Sequence, residues 1–133
     1  MITTYEDYLS KPKSLTTEEM GCLHQAMLLE ISQDEDALEL YEELMVTAVR
    51  YASIRSGWLL LSVEEKMDRD SSRTMCHNSL IVKFNQLAKY LRLQGKPAQW
   101  RDCLGYEEDD RYNRKRIGDF ACYLAFLSAI NAR

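Results

Sequence analysis

Apolar positions recur at intervals of three and four along nearly the whole chain, and nowhere do they alternate as in a strand. That period predicts helices. Ile2, Tyr5, Tyr8 and Leu9 keep the spacing up to Pro12, so residues 1–15 read as a short docked helix or a loose N-terminal arm. Thr16 followed by Glu19 has the layout of a capping box. Behind it Met20, Leu23, Met27 and Ile31, widened by Ala26 and Leu28, form the stripe of a helix ending near Ser32 and Gln33. Asp34 caps a second helix whose first turn is crowded with acids, where the helix dipole favours them. Its inner face is read as Ala37 or Leu38, Tyr41, Leu44 or Met45, Ala48, Ala52 and Arg55, with Gly57 as its stop.

Trp58 to Leu61 reads as a short buried connection. Ser62 and Glu65 repeat the capping box and open one or two turns; Asp70 then opens a third long helix. Its stripe is Ile81, Phe84, Ala88 and Leu91, flanked by Leu80, Leu87 and Tyr90. Gly95 with Pro97 two residues on is a strong stop. A short helix from Pro97 to Leu104 carries Trp100 and ends at Gly105. The acidic run Glu107 to Asp110 then leads into the most apolar stretch of the chain. There Ile117, Ala121, Leu124 and Ser128 fall at helical spacing beside Phe120, Tyr123, Leu127 and Ile130. A helix apolar on so much of its circumference belongs in the middle of a fold, so the last helix is expected at its centre.

The fold class predicted is all-α: over 16–133, a single compact bundle of four main helices with one or two short ones. The helices near 71–94 and 110–131 should run antiparallel, with Gly118 facing the Phe84–Ala88 region. A glycine inside a helix costs about 1 kcal/mol against alanine, and close helix–helix approach is what would offset that.

A chain of 133 residues, 46% hydrophobic and 29% charged, has the size and make-up of one globular domain. No apolar run approaches the roughly 18–20 residues of a membrane span. The N-terminal stretch lacks the basic-then-apolar layout of a signal peptide. A cytosolic location is therefore expected. Cys22, Cys76, Cys103 and Cys122 form no C-x-x-C pair, and four reduced, mostly buried thiols are expected. The net charge of −4 hides an asymmetry: Lys83 to Arg116 holds nine cations against five anions. Such a dipole suits steering or association, and is not by itself a nucleic-acid signature.

Three groups of side chains could carry chemistry. Arg73 and His77 share a helix face next to Asn78, and with Asp119 they could bind an anion or assist proton transfer. The stronger reading of His77 and Asn78 is a cross-bundle hydrogen bond that fixes register. Arg114, Lys115 and Arg116 could contact phosphate or nucleic acid, but the nearby acids oppose their field. Asp119, three and four residues from Arg116 and Lys115, should form an ion pair with one of them. Trp58, Trp100 and Arg101 could anchor an interface; plugging the bundle ends is the plainer role for the tryptophans. His24 and His77 have no partner at metal-ligand spacing, so no metal or other cofactor is expected. Neither a glycine-rich phosphate loop nor a G-x-S-x-G elbow occurs.

The segments Arg73 to Asn78, Trp100 to Gly105 and Arg114 to Tyr123, above all Ile-Gly-Asp-Phe-Ala at 117–121, resemble a family of small helical proteins from Gram-positive bacteria. That family is known as a domain of unknown function. The resemblance spans about residues 34–130 and implies a bacterial cytosolic helical domain without assigning catalytic residues. With no catalytic motif above its structural reading, the expected role is non-enzymatic, through protein–protein contacts, either regulatory or homo-oligomeric. A nucleic-acid regulator using Arg111 to Arg116 is one alternative. A ligand binder or enzyme around His77 is the other.

Overall fold

The computed structural model describes residues 15–58, 60–104 and 111–131, with side chains for 15–57, 60–104 and 116–130. Of the arm expected over 1–15 only Leu15 is included; Gly105 and the acidic run at 107–110 lie outside the described residues. Among those described are five helices and no strand: α1 Thr17–Ile31, α2 Glu35–Trp58, α3 Val63–Leu93, α4 Gln99–Cys103 and α5 Arg111–Asn131. They pack as an all-α bundle. No described helix is long and apolar enough to cross a membrane.

Local chemistry sets the ends. At Thr16 the hydroxyl accepts the Glu19 amide at 3.1 Å, and the Glu19 carboxylate accepts the Thr16 amide at 2.9 Å. Ser62 and Glu65 make the same reciprocal pair. This second box opens the whole of α3, 31 residues long, rather than a separate short helix. No glycine or proline interrupts 63–93, and Asp70, expected as a new cap, instead bonds Arg73 along the helix surface at 3.0 Å. Asp34 caps α2 by accepting the Asp36 and Ala37 amides, and its carboxylate also receives the Tyr90 hydroxyl of α3 at 2.9 Å. Helix α2 passes Gly57 by one residue. After α3, Gly95 takes φ +85°, and the Lys96 and Gly95 amides turn back to the Leu91 and Arg92 carbonyls. This is the Schellman closure, and it needs the left-handed residue that glycine supplies.

The centre of the bundle is α2, not the last helix. It makes the two largest interfaces, with α3 and with α5, while α3 and α5 meet only narrowly. Its inner face is Ala37, Leu44, Ala48 and Tyr51, where two alanines let neighbours approach closely. Against it lie Leu80, Phe84, Leu87, Ala88 and Leu91 of α3, and Ile117, Phe120, Ala121 and Leu124 of α5. Met27 and Ile31 of α1, with Trp100 and Leu104, close the core. Burial in α5 stops at Leu124; Phe126 and Ile130 face solvent. The expected flanks Ala26, Leu28 and Leu38 are also exposed, so those stripes are narrower than the sequence pattern suggests.

A candidate binding groove between α1, α2 and α5

Arg55 falls on the inner face of α2, where a guanidinium must find an acceptor. Asp119 is the one acid within the apolar run of α5. The two meet at 2.8 Å, with the carboxylate the deeper partner. Arg116, one of the two local partners expected for Asp119, instead donates to the Cys103 carbonyl at 3.1 Å. Gly118 makes the approach possible. A Cβ there would stand 2.8 Å from the Tyr51 hydroxyl and 3.1 Å from Arg55 Nη1. Its close neighbour is thus α2, not the Phe84–Ala88 region, because α5 turns Phe120 toward Phe84 (rings 5.9 Å apart).

Above this pair opens a groove of about 690 Å³. Leu15, Thr17 and Met20 form one side, Ala52, Arg55 and Ser56 another, and Asp119, Cys122, Tyr123 and Phe126 the third. Burial acts against the charge on Arg55, but the Asp119 hydrogen bond and the field of Tyr51 outweigh it and raise its affinity for the proton. Burial pushes the Cys122 thiol up, opposed by the nearby guanidinium, whose Nη1 lies 3.9 Å from the sulfur. Burial likewise raises the Tyr51 phenol, again opposed by Arg55. Behind the wall, the His24 ring meets Tyr123 edge-on at 6.4 Å, and its Nε2 lies 2.8 Å from the Tyr41 hydroxyl. Burial lowers the His24 pKa. Phe126 stands at the rim, 62% exposed. The groove is apolar, with a mutually neutralised charge pair at one point.

The side chains singled out from the sequence go to different places. Arg73 pairs with Asp70 on the surface, and Asn78 is exposed. His77 packs edge-on against Tyr51 at 5.5 Å, so Tyr51 lies between it and Gly118. Of that set only Asp119 lines the groove. Trp100 is 1% exposed and Arg101 4%, so within this chain neither is the exposed interface anchor considered from the sequence. The Trp100 indole donates to Glu30 at 2.8 Å, and Arg101 Nε donates to Asn85 at 2.6 Å. The side chains of Trp58, Arg114 and Lys115 lie outside those described.

Two further cations of the positive segment are fasteners. Arg92 reaches the Pro97 and Ala98 carbonyls and Asp102, and Lys96 reaches the Glu30 carbonyl at 2.7 Å. Sequence reasoning missed Cys122, Tyr123 and Phe126 as groove residues, since helical spacing does not distinguish a groove wall from a core face. A usable signal did exist: an arginine ending one apolar stripe and an aspartate inside another. Among the described residues no three His, Cys, Asp or Glu side chains gather as around a metal ion. No protein-family model matches the chain, and neither does any curated protein or solved structure.

Proposed function

We infer that this is a non-enzymatic bacterial cytosolic protein that acts by protein–protein contact, holding an amphipathic helical segment of a partner in the groove between α1, α2 and α5. The observation that carries the reading is the open apolar groove with Phe126 uncovered at its rim. Covering such surface gains about 25 cal/mol per Å² of apolar area removed from water. An amphipathic helix binds by laying its apolar face into such a groove, and aromatic side chains are enriched among the residues that carry binding energy. The Arg55–Asp119 pair supplies one fixed polar point against which a bound helix could set its register.

The test compares wild type with Phe126→Asp, using light scattering and a pull-down from nuclease-treated lysate. A partner, or a second copy, held by wild type and lost by the variant is the expected result. A partner held equally by both would end the reading. So would bound material that disappears with nuclease.

A further inference from the structure

On the other side of the first turns of α1 lies a smaller cleft, about 340 Å³, lined by Leu15, Glu18, Glu19, Cys22, Leu23 and Cys103. Two cysteines 81 positions apart in sequence thus face one opening, and both are exposed, whereas Cys76 is buried and Cys122 half-buried. The sequence pattern predicts mostly buried thiols; the structure divides them into an accessible pair and an inaccessible pair.

The elements carrying the accessible pair are held together firmly. Glu30 of α1 accepts the Trp100 indole at 2.8 Å and the Ala98 amide at 3.1 Å, which ties α1 to the start of α4. Arg116 of α5, in the field of Glu19, holds the Cys103 carbonyl at the other end of α4. Both cysteines therefore line one small cleft of the folded protein, between elements that are already fastened to each other.

We propose that Cys22 and Cys103 are a reversible dithiol site, oxidised to a disulfide by a low-molecular-weight disulfide such as oxidised glutathione. One cysteine thiolate attacks a glutathione sulfur, forming a mixed disulfide and releasing one glutathione thiolate. The second cysteine thiolate then attacks the protein sulfur of that mixed disulfide and displaces the other glutathione. The two protons lost by the cysteines go to the two released glutathiones, so one disulfide is reduced as one is formed. Burial keeps Cys122 and Cys76 out of the exchange by raising their thiols and limiting access. The inference is independent of what occupies the larger groove.

The experiment incubates the native full-length protein with oxidised glutathione, then blocks free thiols and maps the peptides by mass spectrometry. The expected product has lost two hydrogens, links the Cys22 and Cys103 peptides, and reverts with dithiothreitol. Because the cross-link closes a long loop, Tm should rise by about 5 °C or more on oxidation. Cys103→Ser, a change at an exposed position, should abolish both the link and the shift. Glutathione adducts on the separate cysteines with no linked peptide would overturn the proposal, as would links made chiefly through Cys76 or Cys122.

Discussion

Two parts of the molecule solve the same problem with opposite results. At the α1–α4 end, the Glu30 carboxylate takes the Trp100 indole and the Ala98 amide, while the Lys96 ammonium sits on the Glu30 carbonyl. These groups satisfy one another, and the aromatic side chain is covered to 1% exposure. In the groove, Arg55 and Asp119 also satisfy each other across two helices, yet Phe126 beside them stays 62% exposed. What separates the two regions is apolar cover, not hydrogen bonding. The first region stabilises the fold; the second leaves surface that another chain can cover.

Substitutions can press on that contrast. Trp100→Ala should lower the unfolding free energy by about 3–5 kcal/mol, through lost burial and an uncompensated cavity. Denaturant melts measure this, and a loss below about 1 kcal/mol would show that the closed end is not the anchor described. Gly118→Leu should cost about 2 kcal/mol, because the new side chain must displace Tyr51 and Arg55 from α5, a clash larger than the helix-propensity gain. An unchanged Tm would contradict the close approach.

A smaller effect is expected from pH. Burial disfavours the charged His24 ring, so the unfolded chain takes up that proton at higher pH than the folded one. The contribution is fully present above the ordinary histidine value of 6.5 and is lost as pH falls through the lowered one. The capping carboxyls of Glu19 and Asp34, held down first by backbone amides, act only at lower pH. His24→Gln should flatten the stability profile just below 6.5; an identical slope in both proteins would remove His24 as its source. Smallest of all, Phe126→Asp should leave the unfolding free energy within about 0.5 kcal/mol, as surface changes do. A large loss would mean that Phe126 supports the fold and is not free for a partner.

Much of the helical framework was legible in the sequence. Both capping boxes, the Asp34 cap and the Gly95 stop depend on residues within one turn, and each is found as expected. Asp70 misled because the same side chain can cap a helix start or pair with Arg73 along a continuous helix. Of the candidate site, Asp119 was visible, but its partner is 64 positions away. Likewise nothing near Trp100 announces that Glu30, 70 positions earlier, will cover its indole nitrogen.

The sequence by itself determined that this chain is helical, and it placed most of the helix ends. Hydrogen bonds four residues apart, caps and glycine stops are short-range physics. The tertiary structure alone decided that α2 and not α5 lies at the centre, that Arg55 meets Asp119, and that Phe126 is left uncovered. An apolar stripe records only that a face prefers to leave water. How many neighbours meet that face depends on how distant helices are brought together.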